Sequence, residues 1–397
     1  MWAGRHVVVG VTGGIACYKA CHLVRRLAES GARVDVVVTR GATEFVRPLT
    51  FETLSGRPVL TSLWEPERAL AHVRLGQTAD LIIVAPATAH FLGRLAAGMA
   101  DDFLTALCLA RTKPLLVAPA MNDEMFAAEA TQENLRTLSG RGVAIVGPER
   151  GALAEGPSDH PGRMSEPETI LHHAERVLRG PSPLAGRRVV VTAGPTREPL
   201  DPIRVLTNRS SGKMGFRIAQ AAWYRGASVR LITGPSAEPD PAGVEVERIE
   251  TTAELEQAVR QALPTADVLV MAAAPADYRP VAALDRKRPR DEGPLSVSLE
   301  PTPDILAVTR EGRRPGALIV GFALETGDAV GKAAAKLVRK GLDLIVANDA
   351  LEPGAGFEVD TNRVTLIDRS GVRQPVPFGT KAEVAEAIVT AIEVRLG

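Results

Sequence analysis

Two rhythms of apolar residues alternate along the chain. Short runs that are apolar at nearly consecutive positions, His6–Val11, Arg33–Thr39, Asp80–Ala85, Pro114–Ala118 and Val143–Val146, read as strands buried on both faces. Between them, Ile15–Ser30, Ala89–Ala110 and Glu168–Leu178 place apolar residues three and four apart, as one face of a helix does. The alternation starts again after Arg179-Gly180-Pro181-Ser182-Pro183, a Gly/Pro-rich stretch that reads as a linker. There Val189-Val190-Val191 opens a second series, with strands at Glu245–Arg248, Val268–Ala272, Leu318–Phe322 and Asp343–Ala347. Helices are predicted at Thr252–Ala262, Asp304–Glu311, Ala329–Lys340 and Lys381–Leu396, and an edge strand at Val364–Asp368. Strand, helix, strand in repetition predicts right-handed crossovers and the α/β class, with mostly parallel sheets. Arg26–Thr39 and Ala222–Thr233 both read helix end, Gly-Ala, strand, which supports two related, doubly wound domains over a repeat array. Their expected bounds are 1–180 and 188–397, with 181–187 as linker.

In an open parallel sheet, ligands sit beyond the carboxyl ends of the strands. Thr12-Gly13-Gly14-Ile15, Thr39, Pro86-Ala87-Thr88 and Pro119–Met125 all fall on that edge of the first sheet. Gly13 and Gly14 let the backbone approach a phosphate at a helix start. The spacing Gly10-x-x-Gly13-Gly14 departs from the dinucleotide fingerprint, and Thr39-Arg40 stands where a ribose-binding acid would end the second strand. A mononucleotide is favoured over NAD. Gly147–Met164 has no periodicity and is a candidate lid. In the second half, Thr192–Gly215 is far longer than an ordinary strand-to-helix loop. It carries Arg197, Arg204, Asn208, Arg209 and Lys213, and it ends in Ser210-Ser211-Gly212-Lys213 at a helix start. Pro195, Pro199 and Pro202 make the excess length a rigid loop, and the charge points to an anionic ligand.

Composition narrows the classes. Lys plus Arg equals Asp plus Glu at 47 each, so no net field draws the chain to nucleic acid or to an acidic membrane. No apolar run is long enough to span a bilayer, and the N-terminus lacks a signal-peptide pattern. Cys17, Cys21 and Cys108 do not form a disulfide framework, which fits a reducing, cytoplasmic setting. Cys17 and Cys21, four apart on one helix, could share a metal, but no second ligand pair follows, and buried thiols are the plainer reading.

Taken together, the motifs resemble those of the bifunctional coenzyme A biosynthesis family, phosphopantothenoylcysteine decarboxylase joined to phosphopantothenate–cysteine ligase. Val11–Ala16, Ala85–Thr88, Pro119–Met125 and Gly162-Arg163-Met164 look like the flavin-dependent decarboxylase. Ala193–Arg197, Asn208–Gly215, Ala272–Tyr278 and Ala347-Asn348-Asp349 look like the ligase. Each string alone is weak; eight in order across two domains are specific. The resemblance implies a flavodoxin-like domain followed by a Rossmann-like ligase domain. It implies FMN as cofactor, with its phosphate at Gly13-Gly14-Ile15 and Thr12, Thr39, Pro86, Ala87 and Thr88 around it. A flavin serves because decarboxylation of a cysteine-derived acid needs an electron sink that no side chain supplies. His72 matches the family's base, although a lone histidine is more often structural. Asn122 matches the residue that holds the substrate carboxylate, with Ala120, Met125, Arg163 and Met164 as further substrate contacts. A neutral amide suits that place, since an arginine would stabilise the carboxylate that must be lost.

For the ligase the resemblance implies CTP as co-substrate, Mg2+, and an acyl-cytidylate attacked by cysteine. Asn208 matches the contact to that intermediate, Lys287 in Arg286-Lys287-Arg288 the essential lysine, and Arg204 a substrate contact. A solvated charge run remains the alternative for that basic stretch. Ser210, Ser211, Gly212, Lys213, Met271, Ala272, Ala273, Asp277, Pro303, Asp304, Ile305, Leu306, Phe322, Lys336 and Lys340 match nucleotide positions, and Asp277 a metal contact. Lys336 and Lys340 share one helix face, where both reach a triphosphate. The family's trimeric flavin domain and dimeric ligase domain imply a homo-oligomer, a dodecamer, with small-molecule substrates as its other partners.

One departure stands out. The family lid carries a cysteine that protonates the enethiolate, and the aligned residue here is Glu155, with no cysteine between Ala152 and Met164. Glu155 is the candidate donor, with His160 or water as alternatives. Two other outcomes stay open: a decarboxylase that stops at the enethiol, and a flavin domain that is a non-catalytic interaction module. A nicotinamide-dependent dehydrogenase is disfavoured, because neither Gly loop is followed by a strand-end acid.

Overall fold

The computed structural model describes residues 1–64, 70–289, 291, 293–352, 354, 356 and 359–397. The chain divides into two compact units, Met1–Gly180 and Pro181–Gly397. Leu184 is buried in the core of the second unit, so packed structure starts within 181–187, the residues expected as linker.

The first unit holds one parallel sheet of β1 (His6–Val11), β2 (Arg33–Val38), β3 (Leu81–Ala87), β4 (Leu115–Pro119) and β5 (Ala144–Ile145), in the order β2-β1-β3-β4-β5. Both faces are covered, which is why its strands are apolar without alternation. Val7, Val9 and Val11 pack with Leu23, Val24 and Leu27 on one face, while Val8 packs with Ile82, Leu104 and Leu107 on the other. Full burial of each such side chain contributes about 1.5–3 kcal/mol. The apolar stretch read as one helix, Ala89–Ala110, is two helices, Ala89–Ala97 and Phe103–Ala110. Gly98 ends the first in the left-handed region, and Asp102 starts the second through a capping box with Thr105. Three helices without a clear apolar stripe, Arg40–Thr43, Pro48–Ser55 and Ala71–Thr78, lie where no element was predicted.

The second unit is built on an eight-stranded sheet. Its members are β6 (Arg188–Ala193), β9 (Ser228–Thr233), β10 (Glu245–Arg248), β11 (Val268–Met271), β14 (Leu318–Glu325), β15 (Leu344–Asp349), β16 (Thr361–Asp368) and β17 (Arg373–Thr380). Two hairpins stand apart from it, β7 (Arg197–Pro199) with β8 (Val205–Thr207), and β12 (Tyr278–Pro280) with β13 (Leu299–Pro301). The order β10-β9-β6-β11-β14-β15-β16-β17 is parallel from β10 to β15, and β16 and β17 run antiparallel at one side. The strand predicted as the edge, Val364–Asp368, is therefore second from it. The edge is β17, whose Pro375 and Pro377 disguise it as loop; an outermost strand accommodates prolines because its outward side makes no ladder bonds. The long segment after β6 is likewise not loop throughout, since it folds back as the β7–β8 hairpin.

In both sheets the strand order reverses beside the first strand, between β1 and β3 and between β6 and β11. At such a switch point the crossovers leave in opposite directions and open a crevice beyond the strand tips.

Candidate active sites

In the first unit a cavity of about 810 Å³ opens at the β1/β3 switch point, between Thr12–Ala16, Thr39–Gly41, Thr88, Ala120–Asn122 and the lid. Thr12 ties its two walls together. Its Oγ1 donates to the Pro86 carbonyl at 2.7 Å and accepts the Thr88 N–H at 3.1 Å. Thr88 then caps the next helix by accepting the Phe91 N–H. Pro86 and Ala87 thus hold Thr12 and Thr88 in place from behind, rather than lining the cavity. Gly13 is required by packing, because a Cβ there would stand 2.6 Å from the Gly41 backbone. Gly14 has open space on its cavity side, with Thr88 the nearest neighbour of a Cβ at 3.8 Å. A backbone bare of side chains at the end of β1, beside a largely apolar hollow, fits a planar ring system carrying a phosphate.

Asn122 is placed by the helix it starts. Its Oδ1 accepts the N–H groups of Glu124 and Met125 at 2.9 and 3.2 Å, the N-cap of Asp123–Ala127. With the oxygen committed, the amide nitrogen is left to donate, and it donates to Glu155 Oε2 at 3.0 Å. The lid is docked on the same turn by its neighbours: Met121 N–H donates to the Gly162 carbonyl at 3.0 Å, and Ser158 Oγ donates to the Asp123 carboxylate. That last bond holds the Asp123 carboxyl below its usual range. Glu155, Arg163, Met164, Ala120 and Met125 all line the cavity.

Two further cations belong to this wall. Lys19 reaches from the first helix to donate at 2.9 Å to the Met164 carbonyl and at 2.9 Å to Glu166. Arg94 pairs with Asp101 and Asp102 across the break between the two helices. Sequence reasoning missed Lys19; its one signal is its place beside the apolar stripe of Cys17, Ala20, Leu23, Val24 and Leu27, where a charge must find a partner. His72 does not line this cavity. It sits in the first turn of Ala71–Thr78, edge-on to Phe103 at 6.0 Å, with Nδ1 buried and without a partner among the described residues. Cys17 Sγ donates to the Thr12 carbonyl, and burial pushes the Cys108 thiol up to about 12.

In the second unit a cavity of about 490 Å³ lies at the β6/β11 switch point. Asn208 and all fifteen residues matched to nucleotide positions, from Ser210–Lys213 through Met271–Ala273, Asp277, Pro303–Leu306 and Phe322 to Lys336 and Lys340, line it. Gly212, at φ 81°, starts the helix Lys213–Tyr224 from the left-handed region, so the loop turns sharply into the helix. Asn208 is pinned by its Nδ2, which donates to the carbonyls of Ala274 and Pro275 at 3.2 and 3.0 Å. Lys340 pairs with Asp304 at 2.9 Å, and Lys336 donates to the Phe322 carbonyl at 3.1 Å. Burial, and then the neighbouring Lys340, push the Lys336 ammonium below its usual range, as expected for a cation waiting for an anion. Arg204 and Lys287 are not brought to this cavity. They share a separate one with Arg288, where Arg204 Nη2 donates to the Arg288 carbonyl. Among the described residues no group of three or more His, Cys, Asp or Glu could hold a metal ion, and no helix is long and apolar enough to cross a membrane.

A family model described as Flavoprotein matches residues 1–179, and one described as DNA/pantothenate metabolism flavoprotein C-terminal domain matches residues 184–395. The chain is 44% identical over 398 residues to the coenzyme A biosynthesis bifunctional protein CoaBC of Vibrio cholerae, covering 99% of each. It is 48% identical over 403 residues to the protein of the same name from Mycobacterium tuberculosis, covering 98% of this chain and 96% of that relative. Among solved structures, the C-terminal domain of a coenzyme A biosynthesis bifunctional protein CoaBC aligns at 38% identity and a TM-score of 0.47, over 54% of this chain and 98% of that one. A PPC decarboxylase mutant complexed with pantothenoylaminoethenethiol aligns at 31% identity and a TM-score of 0.38, over 42% of this chain and 93% of that one. With both halves matched in one order and relatives covered almost end to end, the chain belongs to the family of coenzyme A biosynthesis bifunctional proteins, a flavoprotein domain followed by a pantothenate-metabolism domain.

Proposed function

We propose that the second unit joins 4'-phosphopantothenate to cysteine at the expense of CTP, and that the first unit decarboxylates the 4'-phosphopantothenoylcysteine so formed to 4'-phosphopantetheine with FMN. The observation that carries this reading is the pair of switch-point cavities: one has a bare glycine backbone facing an apolar hollow, the other converging lysines and a pinned amide.

FMN would be held by Thr12–Ile15, Thr39 and Thr88, and when bound it supplies the two-electron sink that the decarboxylation needs. The chain's own residues do the rest. The Asn122 amide N–H receives the substrate carboxylate and holds it without a full positive charge, so its departure as CO2 is not opposed. Glu155 occupies that amide in the free chain, so the incoming carboxylate displaces it. Displaced from the amide, the Glu155 carboxyl is the nearby group that can act as proton donor. From there it delivers that proton to the enethiolate carbon, the task that the family lid assigns to cysteine. The docked lid excludes water while this happens. His72 stands outside the cavity wall, so its role as base rests on the resemblance alone. His72→Gln tests it: lost turnover with FMN still bound supports the role, and unchanged turnover removes it.

In the ligase cavity, Ser210–Lys213, Lys336 and Lys340 would stabilise the charge that builds on the triphosphate, and Asn208 the acyl-phosphate centre. Asp277 would hold Mg2+, which would supply charge neutralisation at the triphosphate. Lys287 and Arg204 would take the substrate from their own cavity. A homo-oligomer is part of the same reading.

Product analysis tests the whole. Wild-type protein given phosphopantothenate, cysteine and CTP releases pyrophosphate and yields the saturated amine product. Glu155→Gln accumulates the enethiol while pyrophosphate release is unchanged, and Glu155→Cys restores the saturated product. Normal turnover of Glu155→Gln refutes the proton-donor role. An enethiol product from the wild type establishes a decarboxylase that lacks the reductive step.

A further inference from the structure

Lys381 is the least expected cation in the second unit. It is the first residue of the helix Lys381–Leu396, where the macrodipole disfavours positive charge. It is also only 5% exposed, and lysine is rarely buried without a partner. Its ammonium has three protons to donate, yet its one acceptor among the described residues is the Gly356 carbonyl, at 3.1 Å. Local preference, burial and hydrogen bonding all run against a lysine here, and such disagreement marks functional positions. The side chain lines the nucleotide cavity together with Ser210–Lys213, and Lys213 is near enough to add to the effect of burial in lowering the Lys381 ammonium.

The surroundings have the same character. Lys213 is held at 2.5 Å by Asp360, a carboxylate whose side chain is 86% exposed. Asn362, 4% exposed, lines the same cavity; its Oδ1 accepts the Arg363 N–H, and its amide nitrogen has no partner among the described residues. Two ammonium groups and an amide donor thus share a region where, among the described residues, the counter-charges are the solvated Asp360 and Glu238, which is already paired with Arg217.

We propose that Lys381, with Lys213 and Asn362, forms a phosphate seat in this cavity, an anion site additional to Lys336 and Lys340. The seat takes a terminal phosphate, which displaces Asp360 from Lys213 and supplies acceptors to Lys381 beyond the one it has among the described residues. This rests on the nucleotide reading above and adds to it. Two ligands of the reaction bring such a group: the β/γ-phosphates of CTP and the 4'-phosphate of phosphopantothenate.

Calorimetric titration of the full chain separates these sources and tests the seat. CTP is compared with CMP, and 4'-phosphopantothenate with pantothenate, on wild type, Lys381→Met and Lys381→Arg. Lys381→Met keeps the buried stem and removes the charge, and it should fold at least as well as the wild type. A charge-assisted bond in a dry site predicts that one phosphate-bearing ligand weakens about tenfold to a hundredfold, while its dephosphorylated partner is unchanged. Lys381→Arg recovers part of the loss. Selective loss for CTP assigns the seat to the triphosphate, and selective loss for phosphopantothenate assigns it to the 4'-phosphate. Equal loss within each pair, or none, overturns the proposal. Amine labelling of the unsubstituted chain gives an independent readout: the phosphate ligand protects Lys381 from modification, and equal labelling with and without ligand counts against the seat. If wild type binds none of the four ligands, the nucleotide reading itself has failed.

Discussion

Lys19→Met is the perturbation that most sharply separates a docked lid from a passive loop. The Lys19 side chain is 7% exposed and ties the end of the lid to the first helix through the Met164 carbonyl and Glu166. A hydrogen bond to a charged group contributes about 1.5–3 kcal/mol when buried. The Glu166 half is discounted to about 0.5–1 kcal/mol, since that carboxylate is 42% exposed and keeps Arg163 as a partner. The Met164 carbonyl, left without its donor, adds about 1–2 kcal/mol. Methionine fills nearly the same volume, so little cavity term is added. The sum, about 1.5–3 kcal/mol, is the docking energy lost, and FMN affinity should fall by about tenfold to a hundredfold if the docked lid covers the flavin. Fluorescence titration of FMN measures it, with limited proteolysis within Gly147–Met164 as a second readout. The same pair sets a pH dependence. The hydrogen bond from Lys19 holds the Glu166 carboxyl below its usual range, so its stabilisation is present above that range and lost as pH falls through the lowered value. Wild type should release FMN more readily in acid, and Lys19→Met should show a smaller step. Unchanged FMN affinity and unchanged cleavage in Lys19→Met would refute the reasoning.

Four further outcomes follow from particular contacts. Thr12→Val leaves the Thr88 N–H and the Pro86 carbonyl without Oγ1, destabilising the β1/β3 edge by about 2–4 kcal/mol, read as weakened FMN binding with the ligase rate intact. Asn208→Ala removes the amide pinned on Ala274 and Pro275, and should lower ligase turnover by about a hundredfold or more while leaving decarboxylation of supplied phosphopantothenoylcysteine unchanged. Cys108, with its thiol pushed up to about 12 by burial, should resist alkylation at pH 8 in the native chain while the partly exposed Cys21 reacts, as peptide mass mapping would show. His173 is held down to about 4 by burial; the fold should therefore lose stability as pH falls from about 6.5 towards 4, and His173→Gln should flatten that part of the melting profile.

What the sequence discloses here, and what it hides, follows from where the physical signal lies. β1, β2, β3 and β6 are readable because burial on both faces demands unbroken β-branched runs, and Ala329–Lys340 because its buried face has helical spacing. The break at Gly98–Asp102 was written in residues, a glycine and a capping aspartate, but apolar spacing on both sides outweighed them. β17 was hidden because Pro375 and Pro377 signal loop to any local reading, and only pairing with β16 makes it a strand. Among site residues, Asn122 was legible as a helix cap, while its role as carboxylate holder rests on the resemblance. Lys19, Lys381 and Asn362 were not, because an isolated polar residue on an apolar face becomes informative only when its missing partners can be counted in three dimensions. Lys287 and His72 show the converse: motif position names them, while the folded chain puts Lys287 with Arg204 in a separate cavity and His72 outside the wall of the first.

The measurement that bears most directly on the central claim is mass spectrometry of the products formed when the full chain, loaded with FMN, is given 4'-phosphopantothenate, cysteine and CTP together. The account predicts stoichiometric pyrophosphate and a product lighter than phosphopantothenoylcysteine by the mass of CO2, with its carbon chain saturated. Failure to form phosphopantothenoylcysteine, or its accumulation without loss of CO2 while FMN stays bound, would contradict it.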